Sequence, residues 1–201
     1  GTQLTPPHDI TGKPLKGHFP GGENGQLLRE MIDYSYRSLA HLPVNKQRVA
    51  AELPPANAVW FWGEGRKPQL PLFQDKFGVR GGMISAVDLL HGIGKSAGLE
   101  SIPVAGITGN FHTDFAAKGK AAIAALERGL DFVYIHVEAA DECGHRGQVQ
   151  EKVWSIEQID RHIVGPVLCA LDAFGEDYAA LLMPDHPTPL ELLTHTHDPV
   201  P

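Results

Sequence analysis

The chain has 201 residues, of which 42% are hydrophobic and 20% charged, a globular composition that excludes a largely disordered protein. Its 17 Lys and Arg residues against 24 Asp and Glu residues give a net charge of -7, which disfavours nucleic acid or a membrane surface as a partner. No apolar run approaches the roughly 18 residues of a transmembrane helix, and two cysteines make no disulfide framework, so we expect a soluble, cytoplasmic protein.

Prolines and glycines divide residues 1–72 into short elements. Asn24 can cap a helix, and a second short helix is predicted over about 45–52. The first helix shows an apolar period near 3.6 at Leu27, Leu28, Met31, Ile32 and Leu39. The aromatic run at 58–62 predicts a buried strand that leads into a loop. The prolines that follow predict a domain boundary near 68–76.

Residues 77–201 show an alternation of strand and helix patterns. The predicted strands lie near 79–85, 102–105, 132–137 and 178–183, and the predicted helices near 86–97, 114–128 and 148–173. Asp114 can cap the second of these helices, and Pro166 predicts a bend in the third. Strands separated by amphipathic helices predict an α/β fold with a mainly parallel sheet covered by helices on both faces.

Polar residues that follow strands are informative, because ligands of open α/β sheets bind at the carboxyl ends of the strands. Asp141 and His145 follow the strand that ends at 137, and Asp185 and His186 follow the one that ends at 183. Each pair alone is equally compatible with a solvated helix end or loop. Their joint placement, with His195 and His197 nearby, favours a metal site of the Zn or Mn type.

Basic residues that could hold a phosphate are few in this acidic chain. Arg66 and Lys118 rank first because both follow loops at predicted strand ends, although a surface charge is the commoner role for either residue. The run Gly94-Lys95-Ser96 lacks the glycine spacing of a phosphate-binding loop and is predicted to be structural.

Three stretches together resemble the metal motifs of the cofactor-independent phosphoglycerate mutases of the archaeal type, within the alkaline phosphatase superfamily. They are 141–147 (DECGHRG), 185–189 (DHPTP) and 194–201 (THTHDPVP). Further agreement comes from 4–13 (LTPPHDITGK), 43–46 (PVNK), 57–63 (NAVWFWG) and 84–89 (ISAVDL). The resemblance therefore extends over essentially the whole chain.

The resemblance implies two divalent ions, Mn or Zn with Mg as a further option, beside a serine that is transiently phosphorylated while phosphate moves between the 2- and 3-hydroxyls of glycerate. It assigns one ion to Asp141, His145 and His195, with His197 as the alternative to His195. It assigns the other ion to Asp185 and His186. The implied contacts of the small phosphorylated substrate are Arg66, His8 and Asp9 from an inserted domain, and Lys118 from the phosphatase-like domain.

The chain departs from the family pattern at its start. The early aspartate ligand and the nucleophilic serine of the family are missing, and neither Ser85 nor Ser96 lies in the serine motif. The resemblance thus implies a C-terminal fragment with the end of the inserted α/β domain in 1–72 and the second half of an incomplete alkaline-phosphatase-like domain in 77–201. We expect no mutase turnover from the fragment alone.

Two alternatives to a mutase fragment remain open at this stage. One is a related phosphotransferase, such as a homoserine-kinase-like enzyme, and the other is a non-catalytic metal-binding domain. Copies of the chain could also associate into a homo-oligomer through the exposed sheet edges of the truncated domain.

Overall fold

A computed structural model describes all 201 residues and divides the chain into two units, Gly1–Lys67 and Pro68–Pro201. The boundary after Lys67 lies just before the 68–76 range predicted from the sequence. Leu72 packs against Gly98, and the Phe73 amide donates to the Ala97 carbonyl at 2.7 Å. These contacts place residues 68–72 with the second unit.

The first unit is built from two helices and a short antiparallel ribbon. Its elements are β1 (Thr2–Gln3), a 3₁₀ turn (Pro7–Ile10), β2 (Gly21–Gly22), α1 (Gly25–Leu39) and α2 (Pro43–Ala50). Helix α1 buries Ile32 and Ser35, so the predicted helix that follows Asn24 is confirmed.

The strand predicted at 58–62 is wrong, because this run forms no regular element. Its polar groups bond to other parts of the unit instead of to a neighbouring strand. The Val59 amide donates to Ser35 Oγ at 3.0 Å, and Trp60 Nε1 donates to the Thr5 carbonyl at 2.8 Å. A run of bulky residues favours a strand only where another strand offers a ladder.

The second unit contains a three-stranded parallel sheet. Its strands are β3 (Gly81–Ile84), β4 (Glu100–Ser101) and β5 (Phe132–Ile135), in the order β4-β3-β5. Residue Gly82 pairs with Glu100 on one side of the central strand, and Ile84 pairs with Ile135 on the other. The α/β fold with a parallel sheet is therefore confirmed.

Helices cover both faces of this sheet, because successive residues of β3 point to opposite sides. Ile84 is fully buried with Ala122 and Ala125 on one face. Met83 packs against Gly94 on the other. The helices are α3 (Phe73–Phe77), α4 (Asp88–Ser96), α5 (Phe115–Glu127), α6 (Ala139–His145), α7 (Val149–Ile159) and α8 (Gly165–Phe174). None of them has the length and apolar character that crossing a bilayer requires.

Two helix predictions are confirmed in detail. The Asp114 carboxylate caps α5 by accepting the Ala117 amide at 2.8 Å. The helix predicted over 148–173 is interrupted just before Pro166 by a π turn, Asp160–Val164, that joins α7 to α8.

Two strand predictions need correction. The strand predicted at 102–105 is wrong in position, because β4 ends at Ser101. Ile102 still donates its amide to the Met83 carbonyl at 2.9 Å, but Pro103 has no amide with which to continue the ladder. The strand predicted at 178–183 is wrong, since no strand of the sheet pairs with this segment and Leu181 is 85% exposed.

Alanine substitutions at two helical glycines, Gly119 of α5 and Gly92 of α4, test how tightly α5 is packed. An alanine Cβ at Gly119 would lie 2.4 Å from the His162 carbonyl oxygen, whereas one at Gly92 would meet nothing within 4 Å. We expect Gly119→Ala to lower the free energy of unfolding by about 1–3 kcal/mol through overpacking. Gly92→Ala should raise it by about 0.5–1 kcal/mol through helix propensity. Urea unfolding measures both, and equal shifts would contradict this packing.

Candidate metal centre

Three potential metal ligands converge near the carboxyl end of β5. Asp141 and His145 lie four residues apart on α6, so both side chains project from one face of the helix. His195 reaches them from the irregular C-terminal segment. The ligand atoms of the three residues all lie within 4.8 Å of one another.

The spacing of these atoms fits a single divalent ion. His145 Nε2 lies 3.0 Å from His195 Nε2 and 3.3 Å from Asp141 Oδ2, and His195 Nε2 lies 3.4 Å from Asp141 Oδ1. With metal–nitrogen bonds of about 2.0–2.1 Å, neighbouring ligands of one ion lie about 2.9 Å apart in octahedral and about 3.4 Å apart in tetrahedral geometry. Two imidazoles and a carboxylate are also a donor set typical of Zn or Mn.

Backbone and hydroxyl groups orient two of these ligands. His145 Nδ1 is 2.9 Å from the Leu193 carbonyl oxygen, which fixes the ring so that Nε2 faces Asp141 and His195. Leu193 adopts a left-handed backbone conformation, with φ of 57°, that is costly for a leucine. Thr188, which is buried, donates its hydroxyl to Asp141 Oδ1.

The predicted ligands Asp185 and His186 lie at the border of this cluster. The His186 ring centroid is 3.7 Å from that of His195, so the structure brings this imidazole to the site. His186 Nε2 is 3.3 Å from Asp185 Oδ2, but the Asp185 side chain is 73% exposed and is not one of the three clustered donors. His197, the alternative to His195, is exposed and lies outside the cluster.

Lys118 is almost completely buried, with 1% of its surface exposed. Its Nζ donates to the His136 carbonyl at 2.8 Å, at the end of β5. Burial lowers the pKa of Lys118 from its ordinary 10.5 to about 8, and the nearby Glu138 carboxylate partly opposes this shift. The lysine thus places a cation inside the unit, at the edge of the sheet that carries the ligand cluster.

Glu138 is a carboxylate beside the candidate site that the sequence analysis did not single out. Burial raises the pKa of Glu138, as do the carboxylates of Glu142 and Asp141, while Lys118 opposes the shift. Its Oε2 lies against Gly109, where an added Cβ would come within 2.6 Å of that oxygen. The rule that selected Asp141, a polar residue placed after a strand, would also have selected Glu138, because both residues follow β5.

His136 and Ser85 were also missed. Ser85 Oγ lies 3.2 Å from His136 Nδ1, and the His136 amide donates to the Ile84 carbonyl at 2.8 Å. Burial lowers the pKa of His136, as does Lys118, whereas Asp185 and Asp141 act in the opposite direction. The apolar pattern placed His136 within a strand over 132–137, but β5 ends at Ile135 and leaves the imidazole at the sheet edge.

The remaining predicted contacts, His8, Asp9 and Arg66, lie in the first unit. His8 belongs to the 3₁₀ turn, and its ring meets the Trp62 ring edge-on with centroids 5.2 Å apart. His8 Nε2 is 3.8 Å from Asp9 Oδ1. Arg66 is exposed in an irregular segment.

Comparison with known proteins gives a consistent family relationship. The model of the Metalloenzyme superfamily matches residues 17–201. The chain is 46% identical over 98% of its length to the 2,3-bisphosphoglycerate-independent phosphoglycerate mutase of Methanothrix thermoacetophila. It is 45% identical over its whole length to a probable mutase of the same name from Geobacter sulfurreducens. The chain spans about half the length of both relatives, 50% in each case.

A solved structure has a similar fold over most of this chain. The PH0037 protein of Pyrococcus horikoshii matches 87% of this chain and 45% of its own chain, with a TM-score of 0.66 and 29% identity. The family resemblance that the motifs indicate is therefore confirmed.

The buried Lys118 predicts a specific pH dependence of stability. Since its pKa is about 8 in the folded chain and near 10.5 when exposed, the unfolded state holds an extra proton between these values. Stability therefore rises with pH across this window, and Lys118→Met should remove that rise. Urea unfolding at pH 7.5–10.5 measures the difference between the two proteins. Lys120→Met, an exposed lysine of the same helix, is the matched control; an unchanged slope in Lys118→Met would refute the assignment.

Proposed function

The chain belongs to the Metalloenzyme superfamily, and on this premise we propose that it is the metal-binding part of a 2,3-bisphosphoglycerate-independent phosphoglycerate mutase. Such an enzyme interconverts 2- and 3-phosphoglycerate, so its substrate is a small phosphorylated acid, and we expect it in the cytoplasm. The observation that carries the proposal is the cluster of Asp141, His145 and His195, found in a chain that matches named mutases along its whole length.

We assign one divalent ion to Asp141, His145 and His195. Their donor separations of 3.0, 3.3 and 3.4 Å support a shared ion. We assign a second ion to Asp185 and His186. The His186 ring lies against that of His195, so an ion bound by His186 would lie next to the ion bound by His195. The mixture of imidazole and carboxylate favours Mn or Zn, and Mg is a weaker candidate.

Bound divalent ions would supply charge neutralisation for a phosphoryl group and would lower the pKa of a hydroxyl nucleophile. The protein adds a fixed cation through Lys118. With a pKa of about 8, its amine is mostly protonated near pH 7, even though it is buried. An ammonium in this surrounding makes strong hydrogen bonds to phosphate oxygens, so we assign Lys118 to the phosphate of the substrate.

The first unit is proposed to supply further substrate contacts through His8, Asp9 and Arg66. Arg66 is the strongest of the three, since its planar guanidinium can bind a carboxylate or a phosphate through two hydrogen bonds. Its exposed position leaves these donors accessible to a ligand.

The metal assignment is tested by calorimetric titration with Mn²⁺ and then Zn²⁺. We expect Asp141→Ala combined with His145→Ala to lower the affinity of the principal site at least 100-fold, because two of three donors are lost. The matched control is Glu142→Ala combined with Arg146→Ala, which removes an exposed pair with the same spacing on the same helix, 2.9 Å apart. Equal affinity in the two double variants would show that the ligands are assigned wrongly.

The activity is tested on the protein as its own gene encodes it. With Mn²⁺ and without 2,3-bisphosphoglycerate, we expect interconversion of 3- and 2-phosphoglycerate in an enolase-coupled assay, abolished by a chelator and restored by Mn²⁺. Asp141→Ala should lower kcat at least 100-fold. If the protein phosphorylates homoserine from a phosphate donor and shows no mutase turnover, the proposed mutase function is wrong and the related phosphotransferase is the correct assignment.

A further inference from the structure

His136 is held in place by contacts with β3, with α5 and with the residue that follows β3. Its amide donates to the Ile84 carbonyl of β3 at 2.8 Å, and its carbonyl accepts Lys118 Nζ of α5 at 2.8 Å. Its ring Nδ1 lies 3.2 Å from Ser85 Oγ, directly after β3. Two of these contacts fix the backbone of His136 and the third holds one nitrogen of its ring, so the imidazole starts from a defined position, as a side chain that meets a ligand in one geometry must.

Ser85 determines which ring nitrogen of His136 meets a ligand. The Ser85 hydroxyl oxygen accepts the Val87 amide at 3.0 Å, which orients the hydroxyl toward His136 Nδ1. When the hydroxyl donates to Nδ1, the ring proton lies on Nε2 and makes this nitrogen a donor. Ser85 is itself 2% exposed, so its role is to position the ring and not to bind the ligand directly.

The charged groups around His136 define the kind of ligand that would reach it. Lys118 Nζ lies 2.8 Å from the His136 carbonyl oxygen, and Lys118, Asp185 and Asp141 all act electrostatically on the ring, so His136 lies near the buried cation and near acidic residues of the candidate metal cluster. A carboxylate or phosphate drawn to Lys118 and to ions at this cluster would lie near His136, whose Nε2 is the ring nitrogen that Ser85 does not contact. A neutral N–H donor can bind such an oxygen without adding a further positive charge.

We propose that His136 Nε2 donates a hydrogen bond to an anionic oxygen of the bound phosphoglycerate, and that Ser85 is the residue that positions it. This inference rests on the mutase function proposed above. It adds a substrate-binding residue that is neither a metal ligand nor a lysine or arginine.

The test uses the full protein with Mn²⁺ and four variants. His136→Leu removes the donor, His136→Gln keeps an N–H at similar reach, and Ser85→Ala releases the ring. His41→Leu is the control, because His41 is an exposed histidine just after α1 and takes no part in the proposed contact. The readouts are KM and kcat for 3-phosphoglycerate, calorimetric affinity for Mn²⁺ and for 3-phosphoglycerate, and Tm.

We expect His136→Leu to raise KM at least tenfold and weaken 3-phosphoglycerate binding by a similar factor, while Mn²⁺ affinity stays within about twofold. His136→Gln should recover part of this loss, Ser85→Ala should show a smaller increase in KM, and His41→Leu should leave KM unchanged. A parallel loss of Mn²⁺ affinity in His136→Leu would overturn the proposal and make His136 a metal ligand. A lower Tm with unchanged substrate affinity would overturn it in favour of a purely structural role.

The binding measurement separates this inference from the proposed function. If the wild type binds 3-phosphoglycerate without turnover, the mutase function fails, and a loss of binding in His136→Leu still supports the contact. If the wild type with Mn²⁺ does not bind 3-phosphoglycerate, the His136 proposal is refuted.

Discussion

The parallel pairing of β3 with β5 is the constraint on which the site depends. Ile84 pairs with Ile135, so both strands end at the same level and the next residues, Ser85 and His136, emerge side by side. A slip of one residue would send these side chains to opposite faces of the sheet. The same register sets the start of α6, which carries Asp141 and His145 of the candidate metal centre.

Charge balance is the second constraint. Burial raises the pKa of Glu138 most, and the carboxylates of Glu142, Asp141 and Asp185, gathered at the same edge of the sheet, raise it further. Lys118 opposes that shift, and its burial shows that the fold keeps a cation there at a cost in desolvation. One lysine does not balance these carboxylates, and a divalent ion at Asp141 would reduce the remaining repulsion.

The sequence correctly predicted those features that depend only on residues close together in the chain. The Asp114 cap and the break before Pro166 follow from side-chain and ring geometry, and both appear where expected. The runs at 58–62 and 178–183 have strand composition, but composition does not supply a neighbouring strand.

At the candidate site, placement after strands identified Asp141 and His145. It missed His136 because an apolar pattern cannot fix a strand end to within one residue. The choice between His195 and His197 depends on a loop path that no periodicity encodes.

The residues of the candidate metal centre come from two kinds of backbone. Asp141 and His145 lie on a regular helix, whereas His186 and His195 come from irregular segments joined by bonds such as that from the Thr196 amide to the Pro187 carbonyl at 3.1 Å. Leu193 adopts a strained left-handed backbone conformation, and its carbonyl oxygen contacts His145 Nδ1. Strain of this kind persists where surrounding contacts outweigh it. An ion held jointly by α6 and His195 would add such a contact, and would couple metal binding to the order of the segment that carries the histidines.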